Sequence, residues 1–307
     1  MSSSTHEAFE REYFSQDITS LCDSLRQRLD ECVRNYGESH LDTAYCLHEI
    51  AYATYFAGDY SAAIEYFERA LTIRRTKLGK WHPDTAHTLN DIGMVLLTVG
   101  RCTEAEKNFE RALEIRRARL GEWHLDTAHT LNDIGMAIAA GGEVEPAVAY
   151  VRRALEIRIK VSGADSIDTA ISLNDLGVLH RAQGDCEKAR ASIEEALHIR
   201  RRKLGTDHPV TAHSLHELGV VLRVQGEYEE AGGAIEEALH IRCSKLGTDH
   251  PVTADSLRNL GHLKYMTGNH AEAKKLFSEA LHIYVDTFGE GSKQALRSRR
   301  ILMLMQQ

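Results

Sequence analysis

The apolar positions of this chain return on a fixed period. With Ala44, Ala86, Ala128, Ala170, Ala212 and Ala254 taken as position 1, copies follow one another every 42 residues without an insertion. A constant period of this size means one supersecondary unit repeated in a stacked array. Apolar residues at positions 4 and 7 of every copy and at position 11 of three (Leu96, Ile138, Leu222), with Gly or Ala at position 8, make one stripe of a 3.6-residue helix, helix A. Gly58, Gly100, Gly142, Gly184, Gly226 and Gly268 follow at position 15, where a left-handed residue closes a helix without a Cβ penalty. A second helix, helix B, carries Ala at 20, Phe, Val or Ile at 24, Ala-Leu at 27 and 28, and Ile at 30. It stops at Gly79, Gly121, Gly163, Gly205, Gly247 and Gly289.

Residue size predicts how these helices pack. Small residues at positions 8, 20 and 27 let helix axes approach toward the short end of the roughly 8–10 Å range, and large ones at 4, 7, 24, 28 and 30 fill between them. This pattern, with the phrases LNDIG, RALEIRR, KLGTDHP and TAHSLHELG, resembles the tetratricopeptide repeat in the 42-residue form of kinesin light chains and their relatives. The resemblance covers roughly Asp17 to Gly291. It implies an all-α fold, a right-handed superhelical solenoid of antiparallel helix pairs. A continuous seam between repeats makes the chain one elongated array with near-neighbour energetics.

The expected organisation is a polar segment over 1–16, a degenerate half-repeat cap over 17–41, six repeats over 42–293 and a capping helix over 294–307. In the cap, Leu21, Leu25, Leu29 and Val33 form an i, i+4 stripe too short for a stable coiled coil. The last helix offers Leu296, Ile301, Leu302, Leu304 and Met305, with Met303, as cover for the final seam. It carries Arg299 where the other copies have Leu, which predicts a looser end open to self-association.

Positions 2, 5, 9 and 12 of helix A are expected opposite the packing stripe, and the resemblance places that face on the inner surface of the superhelix. Position 5 reads His48, Asn90, Asn132, Asn174, His216 and Arg258. Asn donates and accepts at once, so a ladder of amides suits the alternating N–H and C=O groups of an extended peptide. The alternative is a row of solvated polar residues. The face also changes along the chain: Tyr45, Tyr52, Tyr55 and Phe56 come first, then Met94, Leu97 and Met136, then Arg181, Arg223, Arg258, His262 and Lys264. This pattern fits a linear motif with a hydrophobic anchor and an acidic stretch. Packing of Tyr45 to Phe56 beneath the N-terminal cap is the competing account.

Two further sets of columns bear on structure. Position 6 is acidic in the first five repeats (Glu49, Asp91, Asp133, Asp175, Glu217) and position 31 is Arg in the same five (Arg74, Arg116, Arg158, Arg200, Arg242), while repeat six has Asn259 and Tyr284. This covariation predicts an ion pair within each repeat. The 17 histidines fall into columns at the B-to-A turns (His82, His124, His208, His250) and at position 2 (His87, His129, His213). Members of a column stand a repeat apart, which argues for capping and turn packing and against a metal site.

A net charge of −8 without a basic run excludes nucleic acid as a primary partner. The six cysteines form no CxxC and follow no regular spacing, so neither a zinc site nor a disulfide framework is indicated. The start MSSSTHEAFEREYF has no apolar core and no stretch reaches about 18 apolar residues, so the expected setting is cytoplasmic, with no membrane contact. No nucleophile elbow, phosphate loop or HExxH occurs. Catalysis needs unlike groups converging on one point, whereas repeats spread like groups along a line. The expectation is therefore a non-enzymatic protein-interaction scaffold without cofactors, binding a protein or linear peptide in its groove. The alternatives are a motor cargo adaptor and a regulatory sensor array acting with an effector on another chain.

Overall fold

The computed structural model describes residues 18–305; the polar segment over 1–16 lies outside them. All fourteen helices among the described residues are α-helices, and no strand occurs there. The chain divides into two compact units, Met1–Ala164 and Asp165–Gln307. The sequence predicts a single array. In a stack every contact is with a near neighbour, so any turn is a place where such an array can divide, and here the division falls in the turn after Gly163.

The first unit comprises α1 (Ile18–Tyr36), α2 (Leu41–Phe56), α3 (Tyr60–Leu78), α4 (Pro83–Thr98), α5 (Cys102–Leu120), α6 (Leu125–Ala140) and α7 (Val144–Ser162). The second comprises α8 (Ile167–Ala182), α9 (Cys186–Leu204), α10 (Pro209–Gln225), α11 (Tyr228–Leu246), α12 (Pro251–Met266), α13 (His270–Phe288) and α14 (Lys293–Leu304). In each unit a helix A packs on the helix B that follows it and on the helix B before it. Leu25 and Leu29 of α1 are buried. The C-terminal helix α14 buries Ala295 and Ser298, whereas Leu296, Met303 and Leu304 remain exposed. Met303 and Leu304 therefore do not cover the last seam.

The helix ends follow from local chemistry. At His40, His82, His124, His208 and His250 the imidazole Nδ1 accepts the backbone N–H two residues on, at 3.1–3.2 Å, satisfying a donor that the first helical turn leaves open. In the remaining B-to-A turns Ser166 and Ser292 accept, through Oγ, the backbone N–H three residues on. The two classes of glycine differ. Gly226 ends α10 in the left-handed region at φ 86, ψ 6. Gly79 ends α3 at φ 91, ψ 161, a backbone region open essentially to glycine alone.

The small residues at position 8 press against position 24 of the same repeat. A Cβ on Gly177 would run into Ile193 Cγ1, lie 2.9 Å from Ile193 Cδ1 and lie 3.1 Å from the Ala189 carbonyl oxygen. Gly233, midway along α11, has nothing within 4 Å of that position. We expect Gly177→Ala to destabilise the protein by about 1–3 kcal/mol through overpacking. Gly233→Ala is expected to stabilise it by about 0.5–1 kcal/mol through helix propensity. Urea denaturation of the two variants beside the parent checks both; equal shifts of the same sign would contradict the packing assignment.

Candidate functional site

Position 5 is where the structure departs furthest from the sequence expectation. His48, Asn90, Asn132, Asn174 and His216 are buried, from 0% exposed for Asn174 to 7% for His216. Tyr52 is buried with them. Successive residues of a helix turn by about 100°, so position 5 lies only about 40° from the buried Ala at position 1. It belongs on the flank facing the next helix A, and the amide ladder is closed to an incoming peptide backbone.

What these residues do instead repeats from copy to copy. Arg116, at position 31, donates through Nη1 to Asn90 Oδ1 at 3.1 Å, to the Asp126 carbonyl at 3.0 Å and to Thr130 Oγ1. Arg200 reaches Asn174 Oδ1 at 3.3 Å, Ser214 Oγ at 2.7 Å and the Val210 carbonyl at 3.2 Å. Arg242 reaches His216 Nδ1 at 3.1 Å, Ser256 Oγ at 2.6 Å and the Val252 carbonyl at 3.1 Å. Arg74 keeps the Thr88 hydroxyl at 2.6 Å, and Arg158 keeps Asn132 Oδ1 at 3.4 Å. The position-5 side chain then continues to position 6 of the next repeat. His48 Nε2 meets Asp91 Oδ2, Asn90 Nδ2 donates to Asp133 Oδ2 and His216 Nε2 meets Asn259, each at 2.8 Å. The result, within the units, is a buried polar seam at the junctions of repeats one with two, two with three and five with six.

The seam replaces the ion pair predicted from the covarying columns. Glu49 pairs with Arg28 at 2.8 Å, Asp91 with His48 and Tyr52, Asp133 with Asn90 and His129, and Glu217 with Arg181 at 3.5 Å. Position 5 is the common partner in the best-formed seams: Arg116, Arg158, Arg200 and Arg242 reach it within their own repeats, and Asp91 and Asp133 reach it across the junction. In repeat six, Tyr284 takes over as a buried donor to Asp255 Oδ1 at 2.6 Å. Burial presses Arg242 down to about 10, partly opposed by Asp255 and Glu217. Burial alone would lift the Asp91 carboxyl, yet His87, His48 and Tyr52 hold it below the usual carboxylate range.

The other predicted groove residues reach the surface. In the first unit Tyr45 is 49% exposed, and Tyr55, Met94 and Met136 are half-buried. In the second unit Arg181, Arg223 and Arg258 are half-buried. Arg181 and Arg223 are successive position-12 residues, and among the described residues no carboxylate pairs with Arg223. Its contact there is Met266 Sδ at 3.7 Å, and its buried Nε has no hydrogen-bond partner. Burial, then the Arg181 guanidinium, lowers Arg223 from its ordinary value. Arg258 leans on Asp255 at 3.1 Å.

Antiparallel helix pairs joined by a recurrent buried seam define a helical repeat protein. The match to models of the tetratricopeptide repeat over residues 43–84, 84–160, 126–202, 168–244 and 211–284 shows that this chain belongs to the tetratricopeptide repeat family. Among curated proteins none matches it significantly. Among solved structures it is similar to BtubC (BKLC) from P. vanneervenii, with 23% identity and a TM-score of 0.60 over 76% of this chain and 93% of that one. It is also similar to the nearly identical TPR-like repeats of a Podosopora anserina protein described as a kinesin light chain. There the identity is 23% and the TM-score 0.54, over 67% of this chain and 97% of the other. A third likeness is to the Cut9–Hcn1 hetero-tetramer of APC/C, with 16% identity and a TM-score of 0.64 over 93% of this chain and 46% of that one. The chain is a tetratricopeptide-repeat protein-interaction scaffold, a fold that typically carries no catalysis. No helix among the described residues is long and apolar enough to cross a membrane.

Proposed function

We propose that the helix A face of the second unit, at Arg181, Arg223 and Arg258, binds an acidic extended segment of a partner protein. The observation that carries this reading is Arg223, a half-buried cation beside a second cation, with an unpartnered Nε and no carboxylate on it. Such a group is stabilised by an anion brought from outside, and a carboxylate fits the guanidinium fork in two-point fashion. The first unit separately offers Tyr55, Met94, Leu97 and Met136, which suit apolar side chains of a segment bound there. In the first unit the contacts come from positions 9 and 12, since position 5 is buried there; in the second, Arg258 is a position-5 residue that reaches the surface.

Fluorescence anisotropy with acidic peptides at low and high salt tests the reading. Arg223→Gln and Arg181→Gln are each expected to weaken binding about tenfold, with a smaller salt dependence than the parent. Equal binding of acidic peptides and their basic scrambles by the parent protein would overturn it.

A further inference from the structure

The first seam differs from the others in its chemistry. We propose that His48, His87 and Asp91 form a binding site for a divalent transition-metal cation of the zinc class, bridging α2 and α4. One ligand atom from each of the three lies within 4.8 Å of the other two. His48 enters from position 5 of repeat one. His87 and Asp91 stand at i and i+4 on α4, the spacing that puts two side chains on one helix face.

The geometry is close to what the ion requires. Zinc bound at about 2.0–2.1 Å in a tetrahedral site holds its ligand atoms about 3.3–3.4 Å apart. His87 Nε2 already lies 3.5 Å from Asp91 Oδ2, and His48 Nε2, drawn in by a hydrogen bond, lies 2.8 Å from the same oxygen. A rotation of the His48 ring that opens this gap by about half an ångström admits the cation at tetrahedral spacing. The proton that His48 Nε2 contributes to that bond passes through solvent to Nδ1, so the ring stays neutral and its Nε2 lone pair faces the ion.

Two independent observations point to a missing partner here. His87 Nε2 is buried and has no hydrogen-bond partner. Asp91 is also held as a ligand is held: Tyr52 donates to Oδ1 at 2.7 Å, which fixes the carboxylate and leaves Oδ2 turned to the imidazoles, the outer-shell arrangement common to metal sites. The rings of Phe67 and His87 stand 5.0 and 5.1 Å from that of His48, so one wall is apolar. The His87 side chain is 20% exposed, so the cluster lies just beneath the surface, within reach of an ion from solvent. Two nitrogens and one carboxylate oxygen suit zinc, cobalt and nickel better than calcium or magnesium.

The neighbouring seams explain why the site occurs once among the described residues. At the next junction Asn90 replaces the histidine and presents an N–H donor to Asp133 instead of a lone pair. At the junction of repeats five and six, His216 faces Asn259 instead of a carboxylate.

The test is a titration of the full, untagged chain with Co2+, followed by displacement with Zn2+. The parent protein is expected to show visible d–d absorption saturating at one Co2+ per chain, lost on adding Zn2+, together with a higher melting temperature in Zn2+. His48→Asn copies the residue that repeats two to four carry at this position, and His87→Gln alters a partly exposed side chain, so both are expected to fold. Each should weaken cobalt binding at least about tenfold, and Tyr52→Phe should weaken it about 10–100-fold through the outer shell. His129→Gln, one repeat on, should change nothing. Absence of the d–d band in the parent, or equal binding by the parent, His48→Asn and His87→Gln after circular dichroism shows equal folding, overturns the site.

Discussion

Replacing Arg116 with methionine is expected to cost about 3–5 kcal/mol, the range for removing one partner of a buried charged network. Arg116 is 4% exposed and makes three contacts from one nitrogen, to Asn90, Thr130 and the Asp126 carbonyl. Methionine keeps most of the volume and removes the donor. Asn90 retains Thr130 Oγ1 at 3.2 Å and Asp133 at 2.8 Å, so the loss falls on the link between helix B and the junction. In an array held by neighbour-to-neighbour contacts, weakening one junction also lowers cooperativity. The urea transition of Arg116→Met should therefore move to lower denaturant and broaden. Adding Asn90→Leu to Arg116→Met should cost less than the sum of the two single changes, because the two residues share partners. Strict additivity would show that the seam does not act as a unit.

The second large effect is a loss of stability in mild acid, carried by histidines of the second unit. Burial, then Arg242 and other cations, holds His216 well below its ordinary value. Burial followed by Arg242 lowers His250 to about 4, and burial followed by Arg223 and Arg258 lowers His262 to about 4. All three folded values are depressed, so the unfolded chain binds more protons. The stabilisation is complete above about pH 6.5 and is lost as the pH falls, fully so below about 4. Three such groups amount to roughly 2–5 kcal/mol between pH 7.5 and pH 5 after allowance for solvent screening. Glu217, whose carboxyl burial raises, acts in the opposite sense and blunts the loss. Geometry makes His216 the sharpest of the three: its Nδ1 accepts from Arg242 at 3.1 Å, and a protonated ring would set two cations face to face. Nδ1 thus carries the lone pair and Nε2 the hydrogen, so Asn259 turns its Oδ1 toward it. Thermal melts from pH 7.5 to 4.5 should show a clearly shallower decline for His216→Asn, which copies the Asn174 and Arg200 pairing. An unchanged profile would remove His216 from the account.

The sequence carries the helix pairs, their ends and the small positions that face position 24, because each follows from period, residue size and capping chemistry. Gly177 against Ile193 and the capping imidazole of His82 were both legible in this way. The inner face was legible only in part. Position 5 departs from its expectation because polar character does not by itself mean exposure: Asn90, beside the buried Ala86 at position 1, is polar and meets Arg116 and Asp133. The angle between positions 1 and 5 was available and was the signal that would have corrected it. The His48, His87 and Asp91 cluster escaped for another reason. Its members stand in three different columns and in two repeats, 43 residues apart for His48 and Asp91, so a search within columns passes over it. One period plus one residue is the spacing at which adjacent A helices meet, and Asn90 and Asp133 share it.

The composition of the seams bears on how the chain finds its fold. Copies this alike run the risk of docking one place out of step, since every A helix offers much the same apolar surface to every B helix. The polar pairs are not alike: His48 meets Asp91, Asn90 meets Asp133, His216 meets Asn259. A slipped stack that set Asn90 against Asn259, where it now meets the Asp133 carboxylate, would lose a charge-assisted hydrogen bond at the moment its apolar faces closed. The seams thus act as an address on each copy, and a chain with its repeats exchanged should collapse readily but settle slowly, with the mismatched junctions the last to order.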